Sequence, residues 1–201
     1  MKHAVVVAHP SSKSFNLTMA ATYLEAAKAE GHDVLLRDLY RMGFNPCLAE
    51  SELPGARSRV ADDVVAERAI LQGVDVFCFV YPLWFDMPPA MLKGYLERVF
   101  GGGFGYAFGD LGNTPLLRGK RMISVSSSGA PTSWVRETGD WSALATLFDG
   151  HFAEVCGLTV VGHVHFGDIT PGITEAAVRS CREEVETAVR RHFGRQVAPA
   201  A

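Results

Sequence analysis

A short apolar run at residues 76–81, VFCFVY, places the strongest constraint on how this chain can fold. It is rich in aromatic and β-branched residues and has no polar alternation, a pattern typical of a strand buried on both faces of a parallel sheet. Pro82 is predicted to end this strand, and Pro88-Pro89 lie where a helix is expected to take its first turn. Apolar residues at helical spacing carry that helix: Leu92, Tyr95, Leu96 and Val99. The aromatic loop between strand and helix therefore lies at the carboxyl end of the sheet, where open α/β folds bind ligands.

The alternation of strand and helix patterns continues along the rest of the chain. Apolar runs predict four more strands, at residues 3–8, 33–39, 121–127 and 158–164. Helical periodicity predicts four more helices, which begin near Asn16, near Val60, at Trp141 and near Ile173. Five strands alternating with five helices indicate a doubly wound α/β fold, for which Rossmann-like and flavodoxin-like sheets are the common forms. Five strands in one domain favour the flavodoxin-like parallel sheet, with strand order 2-1-3-4-5.

Size and composition restrict the class of protein. The 201 residues predict a single domain over residues 1–195, followed by a flexible tail at 196–201. A net charge of −3 argues against nucleic-acid binding, which requires a basic face. The four cysteines are far apart and are expected to be reduced thiols: Cys47, Cys78, Cys156 and Cys181. The sequence contains neither a signal-peptide pattern nor an apolar stretch long enough for a membrane span, so a cytoplasmic protein is expected.

Three strand-to-helix loops are predicted to meet at one edge of the sheet. They are residues 9–16, 82–87 and 126–134, and they follow the first, third and fourth strands, which are adjacent in the 2-1-3-4-5 order. Serines and an asparagine before a helix in the first loop suit a phosphate, although an ordinary capped helix start explains them equally well. Trp84 and Phe85 offer flat apolar faces to a planar ring, or else pack into the core. Ser126-Ser127-Ser128-Gly129 is small and rich in donors, so a ring edge can approach its backbone. Together the three loops predict a flavin site.

Other motifs do not fit. The glycines at 101–105 follow a helix rather than a first strand, and Tyr106 occupies the third glycine position of a dinucleotide-binding G-x-G-x-x-G motif. A nucleophile elbow centred on Ser127 would require glycine where Val125 stands. His163 and His165 share one face of a strand, with Asp168 nearby, but two imidazoles fall short of the three or four protein ligands that zinc takes. No metal site is therefore predicted.

Longer matching segments then reveal a family likeness. The segments are AHP-SS-SFN at 8–16, RDLYRMGFNP at 37–46, DVVAE at 63–67, YPLWFDMPPAMLKGYLERVF at 81–100, FGYAF at 104–108 and SSSG at 126–129. In these segments the chain resembles the flavodoxin-fold NAD(P)H:quinone oxidoreductases, the family of DT-diaphorase and its bacterial relatives. The likeness covers most of the chain, and the 81–100 block is its most specific part.

The resemblance implies a reductase that passes a hydride from NAD(P)H, through the flavin N5, to a quinone-like acceptor in a ping-pong cycle. It also implies FAD, with FMN as the alternative, and a homodimer. No side chain is assigned a catalytic role, because the flavin carries the chemistry. The positions that match flavin-binding residues are His9, Ser14, Phe15, Asn16, Pro82, Leu83, Trp84, Phe85, Ser126, Ser127, Ser128 and Gly129. On the substrate side, Tyr106 and Phe108 match tyrosines that the family supplies across the dimer interface, and Trp134 or Thr132 stands near a further family tyrosine.

The chain departs from the family pattern at two places. The glutamine that usually lies between the residues matching Leu83 and Trp84 is missing, and Thr138 stands where the family carries a histidine. That histidine and its tyrosine partner are linked to charge relay in the family, and the pair does not carry over. Two alternative functions remain open: an ancillary regulatory flavoprotein of a potassium-efflux system, which acts through a membrane partner, and a flavodoxin-type electron carrier.

Overall fold

The computed structural model describes residues 1–53, 59–110 and 112–194, so the predicted tail at 196–201 lies outside the described residues. The strands are β1 Lys2–Val7, β2 Asp33–Asp38, β3 Val76–Pro82, β4 Tyr106–Ala107, β5 Thr114–Pro115, β6 Arg121–Ser127 and β7 Thr159–Phe166. The α-helices are α1 Phe15–Ala29, α2 Asp62–Ile70, α3 Ala90–Val99, α4 Thr132–Glu137, α5 Asp140–Leu144, α6 Ala153–Cys156 and α7 Glu175–Phe193. A short 3₁₀ helix spans Glu50–Glu52, and a π-helix spans Ala145–Phe152.

The main sheet is parallel and has the order β2-β1-β3-β6-β7. Counting only its five strands, this is the predicted order 2-1-3-4-5, and the prediction of a flavodoxin-like α/β fold is confirmed. Every residue of β3 is buried, because this strand is central and is covered on both faces. The sheet thus places the carboxyl ends of β1, β3 and β6 side by side, which is the arrangement that the site needs.

Two hydrophobic layers cover the sheet, one on each face. One layer packs α2, α3 and the helical segment 140–156 against Phe77, Phe79 and Tyr81 of β3. The other packs α1 and α7 against Val76, Cys78 and Val80 of the same strand. Alternate β3 residues therefore enter different layers, as the two-residue period of a strand requires.

Several boundaries differ from the sequence-based expectation. Pro82 is the last residue of β3 rather than a residue beyond it, and Pro89 is the residue before the first turn of α3. The second helix is expected to begin near Val60, but it begins at Asp62. The last helix begins at Glu175, because the Thr174 side chain accepts a hydrogen bond from the Ala177 amide and caps it there.

Two further differences bear on the site. The predicted fifth strand extends two residues further, to Phe166, and so includes both His163 and His165. The predicted helix at 141–156 is helical throughout, but its middle eight residues, Ala145–Phe152, form a π-helix. π-Helical turns are rare in proteins, and those that occur are often found at functional sites.

All four cysteines are free thiols, as predicted. Cys78 and Cys156 are buried, and Cys47 is exposed. No helix within the described ranges is both long and apolar enough to cross a lipid bilayer.

Acid sensitivity is expected from a buried histidine on β1. His3 is 0% exposed, and its ring nitrogens lie 2.9 Å from the Tyr23 hydroxyl and 2.8 Å from a His32 nitrogen. Burial, assisted by the charges of His32, the N-terminus and Arg121, lowers the pKa of His3 from 6.5 to about 3. Between these two values the unfolded chain binds a proton that the folded chain does not, so stability falls as the pH falls.

The effect of that proton can be measured. From about pH 7 to about pH 5, His3 is expected to lower the free energy of unfolding by about 2 kcal/mol. Urea unfolding of the wild type and of His3→Gln at both pH values checks this. The difference in free energy between the two pH values should be smaller in the variant by about that amount. Equal pH dependence in the two proteins would contradict the assignment.

Candidate flavin site

The three predicted loops meet at the carboxyl edge of the sheet, and direct contacts join each pair. Asn16 and Ser127 connect the first and third loops, because the Asn16 Nδ2 donates to the Ser127 Oγ at 3.1 Å. The Leu83 amide donates to the Ser127 carbonyl at 2.6 Å and connects the second and third loops. The ring centroids of His9 and Trp84 are 5.9 Å apart and connect the first loop with the second. The three loops therefore form one continuous surface.

The first loop ends in a helix N-terminus with free donors. The Ser14 side chain caps α1 by accepting a hydrogen bond from the Leu17 amide. The amides of Phe15 and Asn16, in the first turn, have no acceptor within the helix. Such amides, together with the positive end of the helix dipole, favour an anionic group such as a phosphate. The Phe15 ring packs edge-on against Phe166, with the centroids 5.6 Å apart, and fixes this turn to the end of β7.

His9 presents a donor beside these amides. The His9 Nδ1 lies 3.1 Å from the Ser11 amide nitrogen and 3.4 Å from the Ser11 carbonyl. With Nδ1 as the acceptor of the shorter contact, the ring proton of the neutral imidazole is on Nε2. Burial, more than the nearby Arg41 charge, lowers the pKa of His9 from 6.5 and keeps the ring neutral at physiological pH. His9 can therefore donate a hydrogen bond from Nε2 without carrying a full charge.

Arg41 is a contributor that the sequence did not single out. Its guanidinium pairs with Asp38 at the end of β2, at 2.8 Å, and donates to the backbone carbonyls of His9 and Pro10. These bonds hold the first loop against the end of β2 and add positive charge close to it. The available signal was the three-residue spacing of Asp38 and Arg41 at the end of a predicted strand.

The second loop is a tight turn that projects an aromatic side chain. Trp84 and Met87 exchange two backbone hydrogen bonds of 3.0 and 3.2 Å, and the residues between them, Phe85 and Asp86, have φ values of 52° and 57°. Positive φ is uncommon for residues other than glycine, and such strain concentrates at functional sites. Phe85 is 95% exposed and Trp84 is 43% exposed, whereas Pro82 and Leu83 are buried. The aromatic faces at this edge are thus available to a ligand.

The third loop offers its backbone and open space rather than its hydroxyl groups. Ser127 bonds Asn16, whereas Ser126 and Ser128 bond histidines of β7. A Cβ atom added to Gly129 would meet no heavy atom within 4 Å, so the space beside this residue is open. The loop is held from behind, because the Gly167 amide donates to the Thr132 Oγ1 at 3.0 Å.

These features fit a flavin mononucleotide moiety, which FMN and FAD share. The α1 amides suit its phosphate, the Trp84 face suits its ring system, and the open space at Gly129 admits a ring edge. The residues that the sequence assigned to cofactor binding therefore do not all have the same part. The backbone amides of Phe15 and Asn16, the rings of His9 and Trp84 and the space beside Gly129 are open to a ligand. The side chains of Asn16 and Ser127 join two loops, and those of Ser126 and Ser128 join the third loop to β7.

Two of the three residues predicted for the substrate side, Tyr106 and Phe108, lie outside the three loops. They pack against each other, with ring centroids 5.3 Å apart, and line a cavity of about 150 Å³ with Arg68 and Glu97. Tyr106 also lines a second cavity, with Leu147 and Phe148. Trp134 lies on α4 and is 47% exposed. Within one copy of the chain, Tyr106 and Phe108 therefore do not complete the site.

His163 and His165, the two histidines on one face of β7, form hydrogen bonds with a serine. Both bond the Ser126 hydroxyl, His163 through Nε2 at 2.7 Å and His165 through Nδ1 at 2.8 Å. In residues 1–53, 59–110 and 112–194, no group of three or more His, Cys, Asp or Glu side chains is placed to hold a metal ion.

Comparison with known proteins places this chain. A family model described as a flavodoxin-like fold matches residues 1–189. An uncharacterized NAD(P)H oxidoreductase of Haemophilus influenzae is 36% identical over 172 residues, which cover 84% of this chain and 85% of that protein. NAD(P)H dehydrogenase [quinone] 1 of Rattus norvegicus is 28% identical over 178 residues, which cover 78% of this chain but only 65% of the rat protein.

The solved structures agree in fold. The NAD(P)H:quinone oxidoreductase from Methanothermobacter marburgensis superposes with a TM-score of 0.80 and 28% sequence identity, and the match covers 95% of this chain and 94% of that one. The chain therefore belongs to the flavodoxin-like fold family, among relatives that are named NAD(P)H oxidoreductases and NAD(P)H dehydrogenases [quinone].

Proposed function

We propose that this protein is a flavin-dependent NAD(P)H oxidoreductase that reduces a quinone-like acceptor by two electrons. The observation that carries the proposal is the meeting of three loops, in which free helix amides, an exposed indole and an open backbone edge face one surface. FAD is the proposed cofactor. FMN is the alternative, because the residues of the three loops would contact the flavin mononucleotide moiety, which both cofactors share. The bound flavin supplies the hydride chemistry at N5.

The protein's own residues position and shield the reactants. The Phe15 and Asn16 amides and the His9 ring would hold the phosphate, and Trp84 would pack against the ring. Backbone donors of the third loop, which the bond between Asn16 and Ser127 fixes in place, would stabilise negative charge on the ring. One exposed ring face would serve the nicotinamide and the acceptor in turn, so the steady-state kinetics are expected to be ping-pong.

A second copy of the chain is proposed to complete the substrate side. Tyr106 and Phe108 are separated from the loops within one copy, and Phe108 is 63% exposed. The turn at Phe85 and the neighbouring cavity of about 270 Å³, lined by Met87, Leu144 and Leu147, expose an apolar surface beside the site. A homodimer that covers this surface would bring aromatic residues of one copy to the loops of the other.

An anaerobic visible spectrum tests the proposal. Purified protein reconstituted with FAD or FMN should show flavin absorbance that bleaches when NADPH or NADH is added and returns when a benzoquinone is added. A bound flavin that stays oxidised in the presence of both nicotinamides would instead favour an electron carrier or a regulatory flavoprotein. Failure to bind either flavin would overturn the reading of all three loops.

A further inference from the structure

A continuous chain of buried and half-buried polar side chains runs behind the third loop. It begins at Asp149 in the π-helix, which bonds the His163 Nδ1 at 2.6 Å. The His163 Nε2 lies 2.7 Å from the Ser126 Oγ, which lies 2.8 Å from the His165 Nδ1. The His165 Nε2 lies 3.1 Å from the Ser128 Oγ, which donates to the Ala130 carbonyl at 2.7 Å. The chain therefore connects a buried carboxylate with the backbone of the candidate flavin loop.

The chemistry of the members limits their proton positions. The Asp149 carboxylate also accepts from the Ser124 hydroxyl, at 2.8 Å, so both of its oxygens act as acceptors. A proton must then lie on the His163 Nδ1. Ser126 has a single hydroxyl hydrogen and can donate to only one of the two histidines, while its oxygen accepts from the other. The whole chain can therefore run in only two directions.

The two directions differ by one proton. With the His163 ring neutral, Ser126 donates to the His163 Nε2, His165 donates from Nδ1 to Ser126, and Ser128 donates to the His165 Nε2. With one proton added, His163 is charged beside Asp149 and donates from Nε2 to Ser126. Ser126 then donates to the His165 Nδ1, and His165 donates from Nε2 to Ser128. The Ser128 hydroxyl is left to donate to the Ala130 carbonyl.

We propose that Asp149, His163, Ser126, His165 and Ser128 form a proton-holding chain in which protonation of His163 switches the tautomer of His165 and the hydrogen bond that Ser128 makes in the loop. Overall, one proton is taken up from water and one N–H bond forms at the His163 Nε2. At His165 the Nδ1–H bond breaks and an Nε2–H bond forms, so that ring keeps its number of protons. No electron is moved by the chain. His163 and His165 are thus positioning residues. The link to the reaction rests on the proposed function, because negative charge on a reduced ring beside the loop would favour the protonated direction.

The surroundings of the two rings support a tautomer switch at His165 rather than a second charge. The Trp141 ring covers both imidazoles, with centroid distances of 4.7 Å to His163 and 5.4 Å to His165. Burial, followed by the charges of His163 and Arg136, lowers the pKa of His165 from 6.5 to about 4. His165 therefore stays neutral near physiological pH.

Three other ionisable side chains lie near the two rings: Tyr81, Arg136 and Asp149. The Tyr81 ring lies 6.3 Å from the His163 ring, and its pKa is raised by burial and by the Asp149 charge, so its phenol stays protonated. Arg136 stacks over Trp141 at 5.5 Å and carries a fixed positive charge near the pair. Asp149 is the carboxylate that faces His163.

Nitrogen NMR of ¹⁵N-histidine-labelled protein, as purified, tests the chain without any assay of activity. We expect the His165 signals to change from the Nδ1–H to the Nε2–H pattern at the same pH at which the His163 signals become those of the charged ring. A His165 ring that keeps one tautomer, or that becomes charged together with His163, would overturn the proposal. A His163 ring that gains no second proton while the protein stays folded would do so as well.

A matched pair of variants then tests the connection. Ser126→Ala removes the hydroxyl that joins the rings, so His163 should change its charge while the His165 tautomer stays fixed. Ser142→Ala removes an exposed hydroxyl that bonds only the Gly139 carbonyl, at 2.7 Å, and should keep the coupled change. Retained coupling in Ser126→Ala would contradict the chain, and the wild-type titration decides the question even if that variant does not fold.

The link to the proposed reaction has its own readout. In flavin-loaded protein reduced anaerobically with NADPH, the His163 signals should be those of the charged ring at a pH where the oxidised protein shows the neutral ring. Unchanged His163 signals on full reduction would sever the chain from the flavin. A protein that binds no flavin would overturn the proposed function instead, and the tautomer coupling measured without flavin would be unaffected.

Discussion

Replacing Arg98 with methionine is expected to lower the free energy of unfolding by about 3–5 kcal/mol, because it leaves the buried Glu52 carboxylate without its counter-charge. The Arg98 side chain is 4% exposed and donates to Asp63 at 2.7 and 2.9 Å and to Glu52 at 3.1 Å. It also donates to the Asn45 carbonyl at 2.6 Å and lies 5.3 Å from the centre of the Phe44 ring. One guanidinium on α3 therefore ties down the segment 44–52 and the start of α2.

Urea unfolding at neutral pH, followed by circular dichroism, measures this loss. Arg59→Met is the matched control, because Arg59 pairs with Asp62 at 2.7 Å while both side chains are mostly exposed. An exposed pair of this kind contributes about 0–1 kcal/mol, so the control should differ little from the wild type. Equal losses of unfolding free energy in the two variants would show that the Arg98 cluster stabilises the fold no more than an exposed ion pair does.

Trp84→Ala is expected to weaken flavin binding by about tenfold to a hundredfold, or about 1.4–2.8 kcal/mol. The reason is the loss of an aromatic face that stands 43% exposed, 5.9 Å from the His9 ring, where the first and second loops meet. The backbone bonds between Trp84 and Met87 do not depend on the side chain, so the turn itself should persist. Fluorescence titration of flavin-free protein with FMN and with FAD gives the dissociation constants.

Trp84→Phe separates stacking from other causes. Phenylalanine keeps an aromatic face without the indole N–H, so affinity should return to within a fewfold of the wild type if stacking is the contribution. Thermal unfolding of both variants without flavin checks that the loop variants remain folded. Wild-type affinity in Trp84→Ala would remove Trp84 from the site.

The sequence was sufficient for the sheet and for the meeting of the three loops at one edge. The uninterrupted apolar run that became β3 required a strand covered on both faces, and the loops after β1, β3 and β6 had to share an edge once the order was known. Such patterns are local, with periods of two or 3.6 residues, and so they survive without tertiary information. The ends of helices and strands were predicted less accurately, because they depend on caps such as Thr174 and on strand pairing.

What each side chain does in the site was decided only by the tertiary structure. A serine in a loop can face a ligand or turn inward, and its neighbours in sequence do not say which. The third loop turned its hydroxyls toward Asn16 and toward two histidines of β7 that lie 37 to 39 residues away. Asp149 lies in an apolar helical stretch, and no local pattern predicts its partner. The π-helix and the adjacent end of β7 bring it to His163.

The sequence by itself thus determined the fold and the edge of the sheet at which the three candidate loops meet. The tertiary structure decided which polar groups face that edge and which brace it, because hydrogen bonds between distant strands depend on register and rotamer. It also placed Tyr106 and Phe108 away from the loops of their own chain. Hydrophobic periodicity is written along the chain, whereas the pairing of polar groups exists only where the strands and helices meet.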